Sequence, residues 1–304
     1  MFAIAETIAP IFLMIVIGFA FRRFGFPGDG FWLPAERLAY YVLLPALIVR
    51  NLATADLAGI QVGRMALMIV CTAAAMTALV LLLRPLFRQN GPAYTSVLQG
   101  AIRLNSYVGF GVAEAFYGQP GVVLSALFVA VMMPTVNVVS IVVLAAYART
   151  GPVSWRRVPL EVARNPIILA CALGGLLNAT GLPLPGWSVA MLGIVGKAAL
   201  PIALMCVGAG LVHAAGTVRV ASLGHACVLK LVAMPAIGYF IAGWVGLGGL
   251  TFTVAVMFAA MPASPASYIL ARQLGGDAPL MAAILTAQTA LAAVTLPLIL
   301  LWLG

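Results

Sequence analysis

Polar side chains that could bind an anion lie in the middle of an apolar stretch, residues 100–118, which reads GAIRLNSYVGFGVAEAFYG. The stretch combines a guanidinium, an amide, two hydroxyl groups and a glycine, namely Arg103, Asn105, Ser106, Tyr107 and Gly109. All of these side chains except the glycine donate hydrogen bonds, as a carboxylate ligand requires. An arginine at the centre of a bilayer costs about 3 kcal/mol even on a lenient scale. The pattern therefore indicates a broken membrane helix that forms a binding site.

A second stretch of the same kind lies near the other end of the chain, at residues 258–276, and reads FAAMPASPASYILARQLGG. Pro262 and Pro265 lie at its centre beside Ser264 and Ser267. Proline removes a backbone donor and breaks a helix, and the helix start that follows carries a positive dipole end suited to anions. Since unsatisfied backbone is tolerated only inside protein or beside water-filled cavities, we predict that the two broken helices cross at mid-membrane.

Other polar residues are candidates for coupling or support, and two interpretations stay open for most of them. Arg103 either faces the ligand or reaches toward the inner surface. Glu114 is either a proton or cation site or a residue directed toward the outer interface, and Lys230 is a candidate internal counter-charge. Asn137 and Gln288 occupy near-equivalent places in the two halves, where they either support the broken helices by hydrogen bonds or only join packed helices.

The composition identifies the class of protein. The 304 residues are 64% hydrophobic and 8% charged, whereas charged residues make up about a quarter of soluble domains. We therefore predict an all-α polytopic membrane protein with no soluble domain and the lipid bilayer as its surroundings. The net charge of +9 resides in short loops, so nucleic acid is not expected as a partner. No nucleophile–base pair, metal-ligand set or phosphate loop occurs, which predicts neither an enzyme nor a cofactor or metal site.

The hydrophobic pattern predicts ten spans, because a bilayer core needs roughly 20 apolar residues per helix. The fourth and ninth spans are the broken ones. The predicted spans are 4–22, 37–54, 64–84, 92–117, 121–147, 164–180, 189–212, 220–245, 250–273 and 278–303. Pro45 and Pro201 fall within the second and seventh spans, as hinges or as plain kinks.

The loop arginines predict that both termini lie outside, since cytoplasmic loops carry the excess of Lys and Arg. The predicted outer loops hold only Arg50 and Arg64. The predicted inner loops hold Arg22, Arg23, Arg37, Arg84, Arg88, Arg149, Arg156, Arg157, Arg164, Arg219 and Arg272.

The two halves resemble each other. A shift of 156 positions carries PIFLMIVIGFAFRRFGFP (10–27) onto PIILACALGGLLNATGLP (166–183), and it carries Pro45 onto Pro201. The same shift carries Ser106 onto Pro262. We predict a five-helix repeat at 1–150 and a second, inverted one at 151–304, because an odd number of spans reverses the second copy. Inverted repeats with broken helices at equivalent positions are typical of secondary transporters.

Several segments together resemble the auxin efflux carrier family, which includes the plant PIN carriers and bacterial permeases for malonate and related acids. The resemblance covers essentially the whole chain. It rests on APIFLMIVIGFAFRRFG at the start, ERLAYYVLLPALIVRNLATADL (36–57), IRLNSYVGFGVAEAFYGQPG (102–121), NPIILACALGGLLNATGLPLP (165–185) and GKAALPIALMCVGAGL (196–211). The resemblance implies a dimerising scaffold from spans 1, 2, 6 and 7. It also implies a mobile transport domain from spans 3–5 and 8–10, which carries organic anions by an elevator motion across a bacterial cytoplasmic membrane.

By this resemblance Asn105 corresponds to the family's crossover asparagine and Pro262 to its crossover proline. Leu104 stands where plant members have proline, and Gly109-Phe110-Gly111 stands where many relatives read G-x-P. We therefore expect glycine to open the first crossing. Residues 65–83 contain no charge, so the acid of the plant carriers' third span has no counterpart.

These features predict a secondary transporter for a small mono- or dicarboxylate. Efflux is favoured, since moving one negative charge outward gains about 2.3 kcal/mol per 100 mV. The alternatives are an importer coupled to H⁺ or Na⁺, of the bile-acid-symporter type, and a non-transporting membrane sensor on the same fold.

Overall fold

Helices make up every regular element of the computed structural model, which describes residues 2–57, 59–87, 89–148, 163–181, 184–211 and 218–303. In chain order the α-helices are α1 (Phe2–Arg23), α2 (Asp29–Leu38), α3 (Leu44–Ala53), α4 (Val62–Phe87), α5 (Gly91–Ile102), α6 (Ser106–Tyr147), α7 (Pro166–Thr180), α8 (Gly186–Lys197), α9 (Ala199–Gly210), α10 (Val220–Val228), α11 (Met234–Trp244), α12 (Gly249–Ala259), α13 (Ala266–Leu274) and α14 (Ala278–Leu303). Among the loop arginines, Arg88, Arg149, Arg156 and Arg157 lie outside the described residues, as does the predicted boundary between the repeats.

The prediction of an all-helical, polytopic membrane protein is confirmed. Within the described ranges six helical segments are long and apolar enough to cross a bilayer, and two shorter apolar helices, α7 and α12, accompany them. The six are Asp29–Ala53, Val62–Phe87, Gly91–Leu144, Gly186–Gly210, Val220–Trp244 and Ala278–Leu303. The count of ten spans and the inverted repeat stay predictions.

Both predicted interruptions are present. The first separates α5 from α6, where Arg103 has extended backbone angles (φ −80°, ψ 146°) and Asn105 begins the new helix. The second separates α12 from α13 and contains Pro262 and Pro265. A sharp bend at Gly118 (φ 56°, ψ −142°) divides the long helix α6, at the predicted boundary between the fourth and fifth spans. Only glycine adopts such a positive φ with ease.

The expectation that glycine opens the first crossing is wrong. Gly109 and Gly111 both lie inside α6, four and six residues beyond Asn105. Gly109 instead makes room for a ring, because a Cβ added there would lie 2.6 Å from Phe258 Cε1. Phe258 in turn packs against Phe128, with ring centroids 4.8 Å apart. Glycine at 109 therefore allows close packing beneath the crossing, and the break itself is made by the residues before it.

Smaller irregularities precede three prolines. A π-helical turn, Ala39–Leu43, joins α2 to α3 just before Pro45, and Ala198 separates α8 from α9 before Pro201. A second π-helical turn, Leu229–Ala233, contains Lys230 and precedes Pro235. Each proline lacks the N–H that would bond the carbonyl four residues back, so the helix loosens at that point.

Close backbone contacts join the first, second, sixth and seventh predicted spans. Helix α1 packs against α9, where Gly18 meets the backbone of Met205 and Gly208 meets the backbone of Ile15. Helix α3 packs against α7 and α8, where Gly174 meets Val49. Small residues let membrane helices approach this closely and gain dispersion energy.

Candidate binding site at the crossing

A main-chain hydrogen bond joins the two broken helices. The Asn105 N–H donates to the Pro262 carbonyl oxygen across 2.7 Å. The Asn105 N–H and the Pro262 carbonyl each lack a hydrogen-bond partner in their own helix because of the break. Each group therefore supplies the partner that the other has lost. Because unsatisfied backbone is costly in a membrane, this bond fixes the two breaks at the same point of the molecule.

The Asn105 side chain caps the start of α6. Its Oδ1 accepts hydrogen bonds from the N–H groups of Tyr107 (3.1 Å) and Val108 (3.3 Å). Its Nδ2 is buried and has no partner among the described residues. The cap therefore occupies two backbone donors at the start of α6, and it leaves the Asn105 amide as a buried donor. Likewise the Ser264 Oγ accepts from the Ala266 N–H (3.3 Å) at the start of α13.

Gln288 ties the crossing to its neighbours. From α14 its Oε1 accepts from the Ala263 N–H (2.9 Å), and its Nε2 donates to the carbonyls of Ala226 (2.9 Å) and Gly100 (3.1 Å). The side chain is fully buried. One amide thus connects α14 with α10, with the last turn of α5 and with the second break.

Arg103 lies in a separate, small pocket. Its Nη1 donates to Asn137 Oδ1 across 2.7 Å, and the side chain is only 6% exposed, so it does not reach the surface. The pocket has a volume of about 20 Å³ and is lined by Arg103, Ser106, Ser264 and by α6 side chains that include Met132. Arg103 does not line the large cavity described next.

A cavity of about 360 Å³ extends from the protein surface to the crossing. The exposed end carries Arg22 and Asp29, whose side chains form an ion pair with Nε and Oδ1 3.3 Å apart; the Asp29 side chain is 82% exposed. The buried end carries Asn105, which is 1% exposed. Between them the wall is mostly apolar. The lining is completed by Trp32, Leu33, Glu36, Cys206, Val207, Ala209, Gly210, Leu211, Ala263, Pro265, Tyr268, Ile269, Arg272, Ala282, Leu285 and Thr289.

The size and lining suit a small molecule, since ligand pockets are concave, largely apolar and supplied with a few convergent polar groups. Arg272 adds a positive charge and packs near the Tyr268 ring, 5.9 Å from its centroid. Within the part of the chain described here, no three His, Cys, Asp or Glu side chains come together as a metal site.

The other predicted residues are distributed around the crossing. Tyr107, Ser267 and Lys230 are buried, and the Ser267 Oγ and Lys230 Nζ have no partner among the described residues. Glu114 is exposed and lines neither the cavity nor the small pocket. Of the predicted binding residues, Asn105 and Pro265 line the large cavity.

Sequence reasoning missed the wall contributed by α2. Asp29, Trp32, Leu33 and Glu36 line the cavity together, and their spacing of three, four and seven residues places them on one helix face. The predicted second span begins at residue 37, so the prediction places most of α2 in a loop. The helical spacing of these four residues is the sequence signal that indicates α2.

Two comparisons with known proteins bear on this site. Residues 153–300 match the model of a family described as "Membrane transport protein". Over 296 residues, 96% of each chain, the sequence is 25% identical to a protein of Methanothermobacter thermautotrophicus described as "Uncharacterized transporter". Both similarities support a membrane transport protein, and neither names a substrate.

Proposed function

We propose that the protein is a secondary transporter that moves a small mono- or dicarboxylate across the membrane by elevator-type alternating access. The observation that carries this proposal is the Asn105–Pro262 hydrogen bond at the buried end of the cavity. Two helices broken at one point, beside a cavity open to one surface, are the arrangement in which transporters bind substrate near the bilayer midplane.

The proposed architecture has ten spans in two inverted repeats, 1–150 and 151–304, with both termini outside. The shift of 156 positions supports it, because it relates the two helix breaks and also relates Pro45 to Pro201, each of which follows an irregular turn. Spans 1, 2, 6 and 7 would form a scaffold that dimerises, and their close glycine contacts suit a rigid unit. Pro45 and Pro201 lie in spans 2 and 7 of this scaffold, so in this proposal they set fixed bends rather than moving hinges.

An anionic substrate is supported by the groups at the two ends of the cavity. The Asn105 amide is a buried donor at the inner end, close to the start of α6 with its positive dipole. Arg22 and Arg272 lie toward the surface, where positive charge raises the local concentration of anions. In this proposal Gln288 and Asn137 hold the crossing in shape, and Lys230 supplies an internal positive charge beside it.

Flux measurements in liposomes test the proposal. Purified protein should release labelled carboxylate faster when a potassium diffusion potential makes the interior negative, as uncoupled efflux requires. Asn105→Ala should abolish the flux, whereas Asn165→Ala, outside the cavity, should retain it. A strict need for a Na⁺ or pH gradient would favour the coupled importer instead. If no carboxylate moves under any gradient or voltage, the transport proposal fails.

A further inference from the structure

The cavity contains a negative charge that the proposed function does not use. Glu36 lines the wall contributed by α2, one helix turn beyond Trp32, and its side chain is half-buried. Cys206 and Asn105 line the same cavity, with Asn105 at its buried end. A ligand that binds at Asn105 therefore shares one cavity of about 360 Å³ with this carboxylate.

No positive side chain in the described part of the chain pairs with this carboxylate. Among the described residues the Glu36 side chain makes neither an ion pair nor a hydrogen bond. The described arginines of the cavity have other neighbours: Arg22 pairs with Asp29, and Arg272 lies near the Tyr268 ring toward the surface. The charge of Glu36 therefore faces whatever occupies the cavity.

Around the crossing, the described lining of the cavity offers a place for one carboxylate, because Arg22 and Arg272 lie toward the surface. The Asn105 amide is the buried donor without a partner that lines the cavity. The wall around it is apolar and includes Trp32, Val207 and Leu285. A second carboxylate on the same ligand would lie against this apolar wall or beside Glu36, and both positions are unfavourable for a charge.

We propose that Glu36 is a specificity-determining residue that restricts the cavity to small monocarboxylates with an apolar body and rejects dicarboxylates. This inference rests on the proposed function and names the substrate class of the same site. The carboxylate of the substrate binds at Asn105, and its apolar body contacts Trp32 and Leu285. Each additional negative charge about 10 Å or less from Glu36 lowers affinity by roughly tenfold, at an effective dielectric constant of about 20.

Binding of butyrate and succinate tests the inference, because the two acids have equal chain length and are fully ionised at pH 7.5. Affinities are measured by thermal shift or calorimetry on the full-length protein in detergent. The wild type should bind butyrate at least about tenfold more tightly than succinate. Glu36→Gln should raise the affinity for succinate more than that for butyrate, so that the preference falls by about tenfold. Glu36→Asp, which keeps the charge, should retain the preference, and so should the matched control Glu114→Gln, since Glu114 lies outside the cavity.

The outcomes separate this inference from the proposed function. If Asn105→Ala abolishes binding and Glu36→Gln leaves the preference unchanged, the site stands and the role of Glu36 is overturned. Binding of 4-aminobutyrate that exceeds butyrate and is lost in Glu36→Gln would also overturn it, since Glu36 would then pair with an ammonium group. If the wild type binds no carboxylate, both fail together.

Discussion

Asn105 and Asn165 cap two different helices in the same way. The Oδ1 of Asn105 accepts from the N–H groups of Tyr107 and Val108, and the Oδ1 of Asn165 accepts from those of Ile167 and Ile168. Only Asn105 lines the large cavity. The chain thus contains a matched pair of asparagines, one at the proposed site and one outside it.

Alanine at either asparagine should lower stability by about 1 kcal/mol, the usual effect of losing a helix cap. Only Asn105→Ala should weaken carboxylate binding, by tenfold or more, because only there is a donor to the ligand removed. Thermal unfolding and ligand titration on both variants check this prediction. Equal affinities in the two variants would show that Asn105 is a structural cap alone.

The Arg103 guanidinium is held by Asn137, outside the large cavity. Arg103→Gln should therefore lower stability without changing the ratio of affinities for butyrate and succinate. Asn137→Leu should destabilise by about 3 kcal/mol or more, because it leaves a buried charge without its acceptor. The double variant Arg103→Met, Asn137→Leu should recover part of that loss. A selective loss of dianion affinity in Arg103→Gln would contradict the position of Arg103 described here.

Gly109 and Gly111 provide a second matched pair. Gly109→Ala should destabilise by about 1–3 kcal/mol, since the new methyl group collides with the Phe258 ring. At Gly111 the nearest atoms to an added Cβ are 3.7 Å away, so Gly111→Ala should be neutral or slightly stabilising. Chemical unfolding of both variants compares them directly. A loss at Gly111 as large as that at Gly109 would mean that the glycines serve helix flexibility rather than packing.

Lys230 is fully buried, and its Nζ has no partner among the described residues. A charge buried without a partner opposes folding, so Lys230→Met should raise the melting temperature by several degrees. Transport should fall at the same time if the ammonium group serves the site. Lys197→Met is the control, because Lys197 is exposed. A lower melting temperature for Lys230→Met would show that the lysine stabilises the fold.

Local sequence chemistry predicted the breaks well and the cavity poorly. Both interruptions could be located from sequence, because their cause is local. Two prolines, Pro262 and Pro265, and the polar cluster around Asn105 interrupt a helix whatever its tertiary packing. The partner of Arg103 could not be located in this way, since Asn137 lies 34 residues away and meets it only through folding. Glu36 was missed for another reason. Glu36 lies just before an apolar run, and from sequence alone such a carboxylate looks like the polar end of a membrane span.

The contacts of Gly18 and Gly208 also bear on how the protein can move. At both positions the missing side chain lets one backbone enter the surface of the other helix. Helices α1 and α9 therefore cannot slide along each other without first separating, and separation would lose the close packing between them. A large displacement is easier along an interface without such interlocked backbones. The cavity lies along one candidate interface, with α2 and α9 on one side and the crossing, α13 and α14 on the other. A covalent link across that interface should arrest transport, whereas a link between α1 and α9 should leave it intact.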